Sequence, residues 1–152
     1  MLFSKTFSYA IRGILYIALM QDEKQRVQLD EIADKVGVPR HFMGKVLKRL
    51  VKENLLHSVK GPHGGFSLQN HTLKTPVLQV VAITDGLAGF KKCVLRFQEC
   101  NLHNPCPMHY KIEKIVKQLK RTVGDTTIGD LLIDDKLQLI ESIATESLKK
   151  KV

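Results

Sequence analysis

Residues 29 to 53 read LDEIADKVGVPRHFMGKVLKRLVKE, two helical patterns broken by Gly37-Val38-Pro39. In the first, Leu29, Ile32, Ala33 and Val36 recur at i, i+3, i+4 and i+7, the spacing of a short amphipathic helix. Gly37 suits the left-handed position that ends such a helix. Pro39 suits the first position of the next one, where its missing N–H costs nothing. Two helices separated by so few residues cannot run on as one rod, and the pattern predicts a helix-turn-helix.

The second of these helices is two-faced. Phe42, Met43, Val46, Leu47, Leu50 and Val51 fill one half of its wheel, and His41, Lys45, Lys48 and Lys52 lie opposite. An apolar back that packs on its own domain and a basic front that meets phosphates and base edges is the requirement for a recognition helix. The stretch LLHSVKGPHGGFSLQ follows, and its two strand-like runs around GPHGG predict a hairpin with Lys60 and His63 at the tip. A helix-turn-helix followed at once by a hairpin is a winged helix. The fold class expected is therefore mainly α, a winged helix-turn-helix with a small β-hairpin wing plus a long C-terminal dimerisation helix.

Charge points the same way. The chain of 152 residues carries a net charge of +9, and residues 39–74 hold seven Lys or Arg against the single acid Glu53. Such a block calls for a polyanion, with nucleic acid ahead of an anionic membrane. Arg40, His41 and Lys45, early in the recognition helix, would enter the major groove of double-stranded operator DNA. Lys48 and Arg49 would meet phosphates, and Lys60 with His63 would take the wing to the adjacent minor groove. His57 and His71, flanking the wing strands, read as ordinary surface or packing residues.

The rest of the chain is also helical. A first helix over about residues 4–20 has Tyr9, Ile11, Ile14, Leu15, Ala18 and Leu19 as its apolar side. Thr75-Pro76 opens a helix running to about Asp85, where DGLAG closes it. A long helix from about Pro107 to Val123 aligns Ile112, Ile115, Val116, Leu119 and Val123. A last one carries Leu137, Ile140, Ile143, Ala144 and Leu148. The division expected is a DNA-binding domain over residues 1–75, and a sensing loop with dimerisation helices over 76–152. The long helix has an apolar stripe that either packs within its own chain or pairs with a second copy. A homodimer is favoured, because winged-helix regulators read two half-sites with two-fold symmetry.

The most nearly apolar run, GILYIALM at 13–20, is far shorter than the roughly 20 residues that span a bilayer. Arg12 stands at its border and QDEK follows it in place of a small-residue cleavage site, so a cytoplasmic protein with no membrane partner is expected. No nucleophile elbow, phosphate-binding glycine loop, HExxH pair or paired-carboxylate motif is present, which argues against an enzyme. A winged-helix adaptor that binds protein rather than DNA is the competing non-enzymatic reading.

All three cysteines fall between residues 93 and 106, in the pattern C-x(6)-C-x(5)-C-x(2)-H formed by Cys93, Cys100, Cys106 and His109. An odd number in a reducing compartment disfavours a disulfide framework. With a helix starting at Pro107, Cys106 would be its N-cap and His109 would sit at N3, one turn apart and able to share a metal. Thiolates suit both zinc and iron–sulfur clusters, and His replaces Cys at some 2Fe–2S irons. Either centre would leave a net negative charge that Lys91, Lys92 and Arg96 would offset. His103 is a spare ligand inside the loop. On the residues alone zinc, a cluster and free redox-active thiols all stay open.

YAIRGILYIAL, LDEIADKVGVP leading into the recognition helix, KGPHGGFSL, the helix ending TDG, the cysteine loop and TTIGDLL together resemble the Rrf2-type bacterial transcription regulators. That family includes the iron–sulfur regulator IscR and the nitric-oxide sensor NsrR. The resemblance covers nearly the whole chain. It implies a dimer of winged helices, long helices crossing at the interface, and a cluster loop whose state alters operator binding to repress or activate genes. Loss of the cluster would reorder residues 90–110 and change the spacing of the two wings. IscR-like members have three cysteines and a histidine placed like Cys106 and His109, although their first spacer is usually five residues rather than six. NsrR-like members take a carboxylate from the first helix, where this chain has Ser8. The resemblance therefore implies a 2Fe–2S cluster on Cys93, Cys100, Cys106 and His109 rather than a 4Fe–4S cluster, with zinc as the alternative.

Overall fold

A computed structural model describes residues 2–95 and 103–144. The helix-turn-helix consists of α2 (Leu29–Val36) and α3 (Arg40–Lys52). Asp30 and Glu31 in the first turn of α2 and Lys35 in its last complement the helix dipole. Gly37 ends the helix at φ +73°, and its N–H and that of Val38 donate to the Ala33 carbonyl at 2.9 and 3.0 Å. Pro39 lies just outside α3 and serves as its cap, its carbonyl accepting from the N–H groups of Phe42 and Met43.

Met43, Val46, Leu47 and Leu50 of α3 are buried as the pattern requires, but Phe42 is not: it is 49% exposed. Phe42 stands at the edge of the apolar half of the wheel, whereas the buried arc runs through Met43, Val46, Leu47 and Leu50 and on to Gly44, which packs close to the Leu29 side chain.

Helix α1 (Lys5–Met20) packs against α2, α3 and three later elements. Ser4 caps it by accepting from the Phe7 N–H at 3.1 Å. Ala10, Ile14, Leu15, Tyr16, Ile17 and Met20 are its buried side chains, whereas Tyr9, Ile11, Ala18 and Leu19 of the expected stripe are only half-buried. The wing pairs β1 (Leu56–Val59) with β2 (Gly65–Leu68), antiparallel, with Leu56 opposite Leu68 and Val59 opposite Gly65. Phe66 and Val27 exchange two backbone hydrogen bonds at 2.8 and 2.9 Å, so the wing is seamed to the connection before α2. Gly65 makes this possible. It adopts φ +132°, and a Cβ there would lie 2.6 Å from the Val27 carbonyl oxygen.

Behind the wing, fully buried Thr72 donates to the Leu55 carbonyl at 2.6 Å and accepts from the Gln69 N–H at 3.0 Å. Helix α4 (Val77–Thr84) follows with Pro76 as its cap, one residue later than expected, and buries Val77, Val80, Val81 and Ile83 between α1 and α5. Helix α5 runs His109–Asp125, not from Pro107, with Met108 as its cap. Cys106 is therefore two residues ahead of the cap. Val123 is its buried side chain, while Ile112, Val116 and Leu119 are half-buried and Ile115 is 61% exposed.

The chain then returns to the winged module. The Val77 N–H donates to the Thr126 carbonyl and the Ile128 N–H to the Thr75 carbonyl, at 2.8 and 2.9 Å, and Ile128 is fully buried. Helix α6 (Lys136–Ile143) lies on α1. Its buried residues are Leu139 and Ile143, whereas Leu137 of the expected stripe is 74% exposed, and Leu148 falls outside the described residues. Arg12 donates to the Ile143 and Val36 carbonyls at 3.0 and 3.3 Å, joining the C-terminal ends of α6 and α2 through one guanidinium. No described helix is long and apolar enough to cross a membrane.

Candidate nucleic-acid interface and cysteine cavity

Helix α3 presents His41, Lys45 and Lys48 to solvent along one face, with Arg40 at its start. Arg40 is ion-paired with Asp30, but both side chains are about 70% exposed, so the pair contributes little and leaves the guanidinium available. Arg49 is placed differently. Its Nη1 lies 3.5 Å from the Thr84 carbonyl, at the C-terminal end of α4, so it sits on the flank of the basic face. Lys60 and His63 are exposed on the wing loop, which Gln28 holds by donating from Nε2 to the Pro62 carbonyl at 2.8 Å. The sequence carried no signal for that bond, which joins residues 34 apart. His57 and His71 are exposed.

Between α1 and α2, Tyr16 and Lys24 converge on Glu31. The Tyr16 hydroxyl donates to Glu31 Oε1 at 2.7 Å and Lys24 Nζ lies 2.6 Å from Oε2. Burial, then the bond to Glu31 and its charge, push the Tyr16 phenol well above its ordinary value, keeping it a neutral donor that ties α1 to α2.

The second site lies at the other end. Cys93, Cys106 and His109 line one cavity of about 490 Å³ between the 3₁₀ turn Ala88–Lys91 and α5. Both thiols are half-buried. His109 has its Nε2 shielded from solvent, its ring edge-on to Tyr110, and its backbone N–H bonded to the Cys106 carbonyl at 2.9 Å. Lys91, Lys92, Lys117 and Lys120 also line the cavity. Its acid is Glu113, paired with Lys117 at 2.8 Å, and that lysine holds the carboxyl below its usual range. The cavity is thus electropositive and offers soft sulfur and imidazole donors, the donor types an iron–sulfur cluster or zinc takes. Cys100 and Arg96 lie outside the described residues, and among the described residues no three His, Cys, Asp or Glu side chains form a group that could hold a metal ion. His103 is exposed, and Ser8 is not among the cavity-lining residues.

One junction connects this region to the first helix. Asp85, just past α4, accepts from the Ser4 N–H at 2.8 Å and from the Ser4 hydroxyl. Burial raises its pKa, but the bonds from Ser4 outweigh that and hold the carboxyl below its ordinary value.

A helix-turn-helix with a seamed wing and a basic solvent face on its second helix defines a winged-helix DNA-binding protein. Residues 3–134 match the Rrf2 family, described as an iron-dependent transcriptional regulator. The chain belongs to that family of DNA-binding transcription regulators, and is not an enzyme. It is 35% identical over 139 residues to a protein of Aquifex aeolicus (strain VF5) named "Putative HTH-type transcriptional regulator", covering 90% of this chain and 95% of that one. Against the HTH-type transcriptional regulator IscR of Vibrio atlanticus (strain LGP32) the identity is 27% over 129 residues, covering 85% and 73%. Its fold is shared with CymR (YrzC), the global cysteine regulator of B. subtilis, at a TM-score of 0.66, 19% identity, and coverage of 84% and 93%.

Proposed function

We propose that the protein is a cytoplasmic homodimer that binds operator DNA under the control of a 2Fe–2S cluster held by Cys93, Cys100, Cys106 and His109. The observation that carries this reading is the shared cavity of Cys93, Cys106 and His109 in a member of a family described as iron-dependent. Residues 1–75 would read DNA and residues 76–152 would sense and dimerise, the exposed apolar side of α5 pairing with its copy. When bound, the cluster supplies a centre whose charge and integrity respond to iron supply, oxidants or nitric oxide.

The chain's own residues do the rest. The thiols and His109 Nε2 provide the donors, and Lys91, Lys92, Lys117 and Lys120 offset the negative charge of thiolates and cluster. Phe90, Ile112 and Val116, half-buried in the lining, limit access of water. Arg40, His41 and Lys45 enter the major groove, Lys48 and Arg49 meet phosphates, and Lys60 with His63 carry the wing to the minor groove.

Anaerobic purification followed by a visible spectrum and iron, sulfide and zinc analysis tests the centre. Near-stoichiometric iron and sulfide with charge-transfer bands that vanish in Cys106→Ala is the expected result. Zinc, or three free thiols without metal, replaces the cluster reading. On the DNA side, Lys45→Ala with Lys48→Ala should weaken binding to the gene's own promoter and flatten its salt dependence by about 0.9 for each phosphate no longer neutralised. An unchanged slope would refute the assigned face.

A further inference from the structure

We infer that Phe42 is a specificity-determining residue that reads the 5-methyl edge of thymine in the major groove. The inference rests on the α3 face being the DNA interface and adds what that reading leaves open: how the face distinguishes sequences. Arg40, Lys45 and Lys48 supply charge, and charge attracts every duplex alike.

Phe42 is the only phenylalanine among the exposed large apolar residues of the described chain, and it stands in the first turn of α3. That is the part of a recognition helix that reaches base edges. It lies three residues before Lys45 and seven before Arg49, so it stands on the flank of the basic face that Arg49 shares, next to Lys45 along the helix. Its ring packs against the His41 ring, with centroids 4.1 Å apart and planes at 38°. A neighbouring exposed side chain, not the core, therefore sets its direction. The buried arc of α3 runs from Val46 through Leu50, Met43 and Leu47 to Gly44, which faces Leu29 of α2, and Phe42 lies outside it. The major groove displays one apolar group, the thymine methyl, and an aromatic edge held among cations suits that group and no other on the base edges.

The test uses the full chain, purified anaerobically, and duplexes it selects from a random-sequence pool. Each thymine is then replaced in turn by uracil, which removes only the methyl group. The native protein should lose about five- to tenfold in affinity at one thymine per half-site. Phe42→Ala should bind the thymine duplex as weakly as the native protein binds the uracil one, be indifferent to the replacement, and keep the native salt slope. Phe42→Leu should recover part of the sensitivity, and thermal unfolding of both variants should match the native chain because Phe42 is outside the core. If Phe42→Ala retains native affinity, or loses affinity while remaining sensitive to uracil, the inference is wrong. If Lys45→Ala with Lys48→Ala abolishes binding while Phe42→Ala does nothing, the DNA face stands and only Phe42 is misassigned. Should the native protein enrich no duplex, the DNA-face assignment falls and takes this inference with it.

Discussion

Helices α3 and α5 carry the same kind of message, an apolar stripe on one side and lysines on the other, and the fold answers it in opposite ways. In α3, Met43, Val46, Leu47 and Leu50 are buried because α1 and α2 close on them. In α5, which is longer, Val123 is the buried side chain, α4 is the main packing partner, and Ile115 stays 61% exposed. An amphipathic pattern states that a helix has a face to cover; it does not state whose atoms will cover it. Under the proposed assembly, the first stripe is completed within the chain and the second by another copy.

The sharpest way to break that contrast is to damage each stripe in turn. Leu47→Ala removes a fully buried side chain beside Gly13 and should cost about 2–5 kcal/mol, read as a lowered urea midpoint. Ile115→Asp should leave the monomer fold intact and instead move the sedimentation profile from dimer to monomer, with Tm falling only as association weakens. A urea effect at Ile115 as large as at Leu47, in a protein that sediments as a monomer from the start, would show that α5 is completed within its own chain.

A smaller effect sharpens the comparison at the wing. Gly65→Ala forces a Cβ into φ +132° and against the Val27 carbonyl, which should cost on the order of 1–3 kcal/mol and lower hydrogen-exchange protection at Val27 and Phe66. The smallest effect lies between the two regions. Asp85 has its pKa lowered in the folded chain, so its contribution is present above the unfolded value of about 3.9 and is lost as pH falls through the folded value. Asp85→Asn should therefore lower stability slightly in the neutral region, leave the acid extreme little changed and so flatten the acid limb of the profile, measurable by thermal unfolding between pH 2 and 7.

The helix-turn-helix and wing were legible because their signals are local. Gly37, Pro39 and the glycines of KGPHGGFSL punctuate the chain within a few residues of what they control. What escaped the pattern depends on packing between distant segments. A helical wheel counts Phe42 in the apolar half because it lies at that half's edge, whereas in space α1 and α2 cover Met43, Val46, Leu47 and Leu50 and leave Phe42 49% exposed. Periodicity likewise puts Leu137 on the α6 stripe, but α1 lies on the Leu139–Ile143 side. For the cysteine loop, composition and spacing pointed to Cys93, Cys100, Cys106 and His109 as candidate donors. The cavity that Cys93, Cys106 and His109 share lies between residues 87–94 and the start of α5, an approach that no periodicity encodes.

The anchoring of α5 gives it a mechanical character. One end is pinned where Val123 is buried and where residues 126 and 128 bond back to residues 77 and 75. The other end carries His109. Between them the shaft is about 25 Å long, at about 1.5 Å per residue. A beam pinned at one end is a lever, and this one gears motion down: a shift of about 1 Å at His109 turns the shaft by only about 2° at its pivot. Under the proposed sensing role, rearrangement among the thiols would therefore reach the winged module as a small rotation with high mechanical advantage, applied at the seam between α4 and the segment that returns after α5.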